Sequence, residues 1–167
     1  MKSISLYVLL AVAGTFLCYQ ISSAAKEGAL KNDVAKKITV AKNETGIHFI
    51  EQDWDKALKT AQDQDKLVFL DIYATWCGPC KMLKQYTFTD AKVGEFFNKN
   101  FINISVDGEK GVGPSLAEKY AIEGYPSLIV ADATGKPVLI TAGYIPSDIL
   151  MKFANEALKR GGKQPAN

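Results

Sequence analysis

The apolar and polar positions between residues 47 and 160 follow two different periods, which predict a series of strands and helices. Short runs rich in β-branched and aromatic residues predict strands at 47–50, 67–73, 101–106, 127–131 and 137–141. Good helix formers and helical apolar spacing predict helices over 54–62, 81–86, 91–98, 114–120 and 147–160. Expected N-caps are Asp53, Asp90 and either Ser147 or Asp148.

With the helical segments 81–86 and 91–98 counted as one connection, the order of these elements, β-α-β-α-β-α-β-β-α, predicts an α/β fold. Right-handed crossovers would assemble a central mixed sheet of about five strands with helices on both faces. Pro137 fits an edge strand, because proline cannot donate a hydrogen bond to a neighbouring strand. Sheets of this kind place their chemistry at the C-terminal ends of the strands, so we expect the site to follow the run 67–73.

The first 25 residues have the pattern of an export signal. Lys2 precedes a nearly uninterrupted apolar stretch from Ile4 to Ile21, and the small residues 22–25 would permit cleavage. An uncleaved membrane anchor is the alternative, because the stretch approaches the length of a membrane span. A third reading is a lipoprotein signal modified at Cys18, which Leu17 disfavours because a small residue is required before the modified cysteine.

These patterns divide the chain into four parts. We expect a signal peptide or anchor at 1–25, a polar linker at 26–45, a globular domain at 46–161 and a flexible tail at 162–167. The 167 residues suffice for one domain with a sizeable core. A net charge of +2 does not indicate electrostatic binding of nucleic acid or of anionic lipid, so neither is an expected partner.

The stretch Trp76-Cys77-Gly78-Pro79-Cys80 lies between a predicted strand and a predicted helix. The free N–H groups at the start of a helix stabilise a thiolate, so Cys77 is the expected nucleophile. Cys80 follows one turn later and can attack a mixed disulfide formed at Cys77. An inert structural disulfide is the alternative, although so short a loop gains little stability from closure. A metal site would need further ligands, and the single histidine, His48, is far away in the sequence and is expected at the surface.

Asp71 lies inside the predicted central strand, six positions before Cys77. Its apolar neighbours Leu70 and Ile72 indicate that its side chain points inward, beneath the cysteines. A buried carboxyl without a cationic partner has a raised pKa and can accept the proton that Cys80 loses. A surface aspartate on a half-exposed strand is the alternative.

The motif and its surroundings resemble the thioredoxin superfamily. Gly124-Tyr125-Pro126-Ser127 looks like that family's cis-proline loop, and the segment 81–90 is similar to the C-terminal thioredoxin-like domain of thiol:disulfide interchange protein DsbD. The resemblance covers about residues 47–160. It implies the thioredoxin fold, no cofactor, and catalytic roles for Cys77, Cys80 and Asp71. It also implies a substrate-binding surface formed by Trp76, Gly78, Pro79, Tyr125 and a cis Pro126.

Three residues depart from the family's usual pattern. Gln85 stands where a helix-kinking proline is common, so a straighter active-site helix is expected. Asn103 replaces a lysine that often neighbours the buried aspartate, and Tyr125 is bulkier than the usual aliphatic residue.

The function implied is that of an exported thiol:disulfide oxidoreductase, periplasmic or otherwise extracytoplasmic, which mainly reduces protein disulfides. Its partners would be protein disulfides and dithiols and a membrane thiol electron donor, and a monomer is expected. One alternative is a disulfide-forming oxidase or isomerase that uses the same site in the other direction. Another is a peptide-binding, chaperone-like module with incidental redox activity.

Overall fold

A five-stranded mixed sheet forms the centre of the computed structural model, which describes residues 45–166. The strands are β1 (Ile50–Glu51), β2 (Leu67–Tyr73), β3 (Phe101–Asp107), β4 (Ser127–Ala131) and β5 (Pro137–Ala142). Their order across the sheet is β1-β3-β2-β4-β5, so β2 is central and β5 is an edge. β1 and β2 run parallel to β3, whereas β4 runs antiparallel to both β2 and β5.

Five α-helices connect these strands: α1 (Trp54–Asp63), α2 (Gly78–Met82), α3 (Ala91–Asn100), α4 (Gly113–Lys119) and α5 (Ser147–Arg160). A π-helical turn, Leu83–Thr87, continues α2. Two of the expected caps are confirmed, because Asp53 and Asp90 accept hydrogen bonds from first-turn backbone N–H groups. The expected cap of the last helix is wrong: Pro146 occupies the N-cap position of α5, and no side chain caps it there.

The sheet buries both of its faces. Val68, Leu70 and Ile72 of β2 pack on one side together with side chains from α1 and α4. Leu67 and Phe69 point the other way, into a cluster that includes side chains from α3 and α5. Burying each such side chain stabilises the fold by about 1.5–3 kcal/mol. Because Asp71 shares the alternation of Leu67 and Phe69, it lies on the face that the π-helical turn, α3 and α5 cover.

Most predicted elements are present, and the thioredoxin-like architecture is confirmed. The first strand was misplaced: it occupies 50–51 rather than 47–50. The reason is that Ile47 and His48 donate their backbone N–H groups to Phe88 O and Asn98 Oδ1 instead of to the sheet. His48 is exposed, as expected.

The active-site helix is not the straighter α-helix expected from Gln85. Beyond Met82 it widens into the π-helical turn, and Phe88 N bonds back to Leu83 O at 2.8 Å. Turns of this kind are rare inside helices and are frequent at functional sites.

The expected signal or anchor, its cleavage site and Cys18 lie outside the described residues. So does nearly all of the expected linker at 26–45. Within 45–166, no helix combines the length and the apolar character needed to cross a membrane. The flexible tail at 162–167 stays a prediction, although Lys163 bonds to Asp65 and Ala166 N donates to Asn100 Oδ1.

Candidate active site

The two motif cysteines lie directly after the C-terminal end of β2, at the start of α2. Cys77 is the N-cap residue, and its Sγ accepts a hydrogen bond from Cys80 N at 3.1 Å. Pro79 fits the first turn, where a missing N–H group costs nothing. This arrangement points a helix N–H group at the Cys77 sulfur, so a negative charge there is stabilised.

Cys77 and Cys80 form a disulfide with an S–S length of 2.04 Å and a Cα–Cα distance of 5.3 Å. Both residues are almost covered, at 2% and 3% exposed, and Tyr73 and Tyr125 pack against them. Gly78 and Pro79 between them are exposed. The loop that carries the disulfide is therefore accessible to a partner protein although its sulfurs are mostly shielded.

Trp76 lies at the surface beside the disulfide and is 67% exposed. Its Nε1–H donates to both carboxylate oxygens of Glu109, at 3.0 and 3.1 Å. Its ring meets the Tyr125 ring edge-on, with 6.1 Å between centroids. Core packing of Trp76 is thereby excluded, and the indole is oriented from two sides.

The Tyr125–Pro126 peptide bond is cis, and this loop lies against the cysteines. The Tyr125 ring rests on Gly108, where a Cβ atom would come within 2.5 Å of Tyr125 Cε1. Pro126 O accepts a hydrogen bond from Gly143 N at 2.8 Å. Within the described part of the chain, the backbone N–H and C=O of Tyr125 have no hydrogen-bond partner.

Asp71 is buried, at 1% exposed, as its apolar neighbours predicted. Ser105 Oγ donates to Asp71 Oδ2 at 3.0 Å, while Oδ1 has no hydrogen-bond partner among the described residues. Loss of hydration on burial raises the pKa of Asp71 to about 7, against the opposing effects of the Ser105 hydrogen bond and the Lys84 charge. Glu51 raises this pKa further. The carboxyl can therefore exchange a proton near neutral pH.

Three residues near the site were missed or undervalued in the sequence. Ser105 stands opposite Asp71 in the β2–β3 register, whereas Asn103 stands opposite Phe69 and donates to Asn98. The alternation of β3 puts both polar residues on one face, but only the register shows which one meets Asp71. Glu109 and Lys84 gave no signal in the sequence, because each contacts a residue that only the fold brings near, Trp76 for Glu109 and Tyr73 for Lys84.

No group of three or more His, Cys, Asp or Glu side chains within residues 45–166 is arranged to hold a metal ion. The site described above consists of a disulfide, a buried carboxyl and an aromatic rim.

A thioredoxin-like domain model matches residues 54–158, which is more than half of the chain and includes the whole site. The chain belongs to the thioredoxin-like domain family. The relatives of this domain are disulfide oxidoreductases. In this chain the disulfide joins Cys77 and Cys80, the two cysteines of the predicted motif.

Two curated relatives illustrate the breadth of this family. Thioredoxin H-type of Fagopyrum esculentum is 33% identical over 106 residues, which cover 64% of this chain and 85% of the relative. Thiol:disulfide interchange protein DsbD of Pseudoalteromonas atlantica is 31% identical over 87 residues, which cover 52% of this chain. The match spans only 15% of that DsbD protein.

Solved structures give the same assignment. A Bacteroides thetaiotaomicron protein proposed to be a disulphide-isomerase is 38% identical, with a TM-score of 0.63 over 70% of this chain and 97% of that one. The oxidised C-terminal domain of Neisseria meningitidis DsbD is 26% identical, with a TM-score of 0.53 over 62% of this chain and 91% of that domain. The expected similarity to the DsbD C-terminal domain is confirmed.

Proposed function

We propose that this thioredoxin-like protein is an exported thiol:disulfide oxidoreductase that mainly reduces disulfides of other proteins. The observation that carries the proposal is the Cys77–Cys80 pair at a helix start, with the Cys80 N–H group aimed at Cys77 Sγ. Similarity to thioredoxin, whose reduction potential lies at the reducing end of the range, supports the reducing direction, and the apolar N-terminal stretch supports export.

In the first step, the Cys77 thiolate attacks one sulfur of a substrate disulfide. The substrate S–S bond breaks, its second sulfur leaves with the electron pair and takes up a proton, and a mixed disulfide forms at Cys77. In the second step, the Cys80 thiolate attacks Cys77 Sγ and releases the other substrate sulfur as a thiolate. This thiolate takes up the second proton, so the substrate gains two electrons and two protons in all, and the Cys77–Cys80 disulfide is formed.

Asp71 is the proton acceptor for Cys80 in this second step. The carboxyl is buried on the sheet face that the π-helical turn, α3 and α5 cover, and one of its oxygens has no partner within residues 45–166. With a pKa raised by burial to about 7, it accepts a proton more readily than an ordinary carboxylate and releases it again near neutral pH.

Substrate binds across the exposed loop and the aromatic rim. The backbone N–H and C=O of Tyr125 can pair with an extended peptide that carries the disulfide, as an added strand would. Trp76 provides an exposed apolar contact, and Gly78 and Pro79 are exposed on the loop beside Cys77. Pro126 fixes this loop beside the disulfide.

The site would work outside the cytoplasm, periplasmic or tethered to a membrane by the N-terminal stretch. A reductant there needs an electron supply, which a membrane thiol carrier would provide. The likeness to a proposed disulphide-isomerase favours isomerisation as the second candidate function, because isomerisation uses the same attack by Cys77 and omits net reduction.

A disulfide-reduction assay with two matched variants tests the proposal. We expect the protein to reduce insulin with dithiothreitol as electron source, Cys77→Ser to abolish this activity, and Cys80→Ser to accumulate mixed disulfides with substrate. The mixed disulfides should disappear on treatment with reductant. Full activity of Cys77→Ser would overturn the proposal, and reshuffling of scrambled disulfides without net reduction would support the isomerase instead.

A further inference from the structure

We propose that Lys84 is a positioning residue for the redox reaction: its ammonium group stabilises the negative charge that Cys80 and Asp71 share while Cys80 attacks the mixed disulfide. The inference rests on the proposed function, in which Asp71 accepts the proton of Cys80. It goes further because it assigns a role to a residue that lies outside the motif, on the π-helical turn.

The first observation is that Lys84 lies on the same side of its helix as Cys80. The two residues are four positions apart, which brings side chains together along a helix. Both line a surface cavity of about 280 Å³, together with Tyr73, Ala74, Thr75 and Lys81. Lys84 and the resolving cysteine therefore border the same surface cavity.

The second observation fixes the ammonium group in space. Lys84 Nζ lies 3.4 Å from the centroid of the Tyr73 ring, a favourable contact for a cation. Tyr73 and Asp71 are two positions apart on β2, so their side chains project from the same face of the sheet. An ammonium group held over the Tyr73 ring therefore lies beside the face on which Asp71 is buried.

The third observation concerns the other charged groups around Asp71. β3 contributes the neutral Ser105 hydroxyl, and β4 contributes the apolar Leu128 opposite Asp71. Glu51 of β1 acts against ionisation of Asp71, whereas Lys84 acts in favour of it. Lys84 forms no ion pair within the described part of the chain, and its charge lowers the pKa of both Asp71 and Asp107, the last residue of β3.

The charge balance of the resolving step explains why this position matters. The Cys80 proton moves to the Asp71 carboxylate, so one negative charge passes from the carboxyl to the sulfur. The new S–S bond then forms between Cys80 and Cys77, and the charge leaves on the substrate sulfur. A cation beside both groups stabilises the charge at either location, which lowers the pH at which the pair becomes reactive.

The test compares Lys84→Met with two matched variants. Lys81→Met removes a lysine that lines the same cavity, and Lys84→Arg keeps the charge. In each protein, the carboxyl carbon of Asp71 is titrated by NMR in the oxidised state, and the pH profile of insulin reduction is recorded. Backbone amide spectra establish that every variant is folded.

We expect Lys84→Met to move the Asp71 midpoint and the rate profile upward by about half a unit, equivalent to about 0.7 kcal/mol. Lys81→Met should leave both in place, and Lys84→Arg should restore both. Equal shifts in the two Met variants, or none in Lys84→Met, would overturn the inference. A rate profile that Asp71→Asn leaves unchanged would also overturn it, because Asp71 would then not accept the Cys80 proton. The proposed function fails separately, if Cys77→Ser keeps full activity.

Discussion

Ser105 Oγ donates a hydrogen bond to Asp71 Oδ2 at 3.0 Å, directly across the pairing of β2 with β3. The second oxygen, Oδ1, is buried without a hydrogen-bond partner within residues 45–166. Because only one of the two carboxylate oxygens accepts a hydrogen bond, the carboxylate is only partly compensated for the hydration that it loses on burial. The pKa of about 7 follows from this incomplete compensation.

The buried carboxyl should make the folded protein less stable as the pH rises. Asp71 ionises at its ordinary pKa of 3.8 in the unfolded chain and at about 7 in the fold. Stability therefore falls between pH ~4 and ~7 and is level above that, because the unfolded chain releases this proton first. The full difference corresponds to at most about 4 kcal/mol.

Asp71→Asn should remove this dependence. We expect the variant to be more stable than the parent by about 2–4 kcal/mol at pH 8, and to differ little at pH 4. Urea unfolding of the two oxidised proteins at both pH values measures the difference. An equal free energy of unfolding at pH 8 would contradict the burial penalty.

Ser105→Ala should raise the pKa of Asp71 above that of the parent. The hydroxyl bonds to the charged form, and hydrogen bonds to charged groups contribute about 1.5–3 kcal/mol, or about one to two units. NMR titration of the Asp71 carboxyl measures the shift. Ser127→Ala is the control, because Ser127 is equally buried but bonds to Gly124 O at 2.8 Å. A similar midpoint in both variants would show that the Ser105 bond has no such effect.

Trp76→Ala should weaken substrate binding without unfolding the protein. Loss of one exposed aromatic contact is expected to raise KM for a protein disulfide about tenfold, or about 1.4 kcal/mol. The free energy of unfolding should change by less than about 1 kcal/mol, because the indole is 67% exposed. Ile140→Ala removes another exposed apolar side chain, on the edge strand β5, and should leave KM unchanged. Equal KM values for the two variants would argue against a binding role of Trp76.

Gly94→Ala should destabilise the fold. Its Cβ atom would lie 2.3 Å from the backbone carbonyl of Gly46, so the segment before β1 would have to move away from α3. We expect a loss of about 2–3 kcal/mol in denaturant unfolding, typical of overpacking. Gly124→Ala is the matched control, because a Cβ atom added at Gly124 would have no other atom within 4 Å. It should change the free energy of unfolding by less than about 0.5 kcal/mol. A fully stable Gly94→Ala protein would contradict the close packing of α3 against Gly46.

The sequence located β2 and β4 correctly because both strands are buried on both faces. Such strands consist of unbroken apolar runs with abrupt polar ends, and the bounds 67–73 and 127–131 follow directly. The first strand was misplaced, because the apolar pattern of residues 47–50 does not show which of their N–H groups bond to the sheet. Which of its N–H groups bond to the sheet depends on Phe88 and Asn98, distant in the sequence.

The motif identified the disulfide, and the inward position of Asp71 followed from its apolar neighbours. The electrostatic surroundings of Asp71 could not be predicted in the same way. Ser105 meets Asp71 only through the strand register, and Lys84 meets the Tyr73 ring only through the packing of the π-helical turn against the end of β2. Neither contact is indicated by a periodic pattern of residues in the sequence.

The redox state of Cys77 and Cys80 in the living cell tests the central claim most directly. Rapid acid quenching of the exported protein, followed by alkylation of free thiols, separates the dithiol from the disulfide form. A reductant supplied by a membrane thiol donor should be found mostly as the dithiol, and the same assay after loss of the donor should yield the disulfide. A protein found mostly as the disulfide under normal growth would contradict the reducing direction and favour disulfide formation instead.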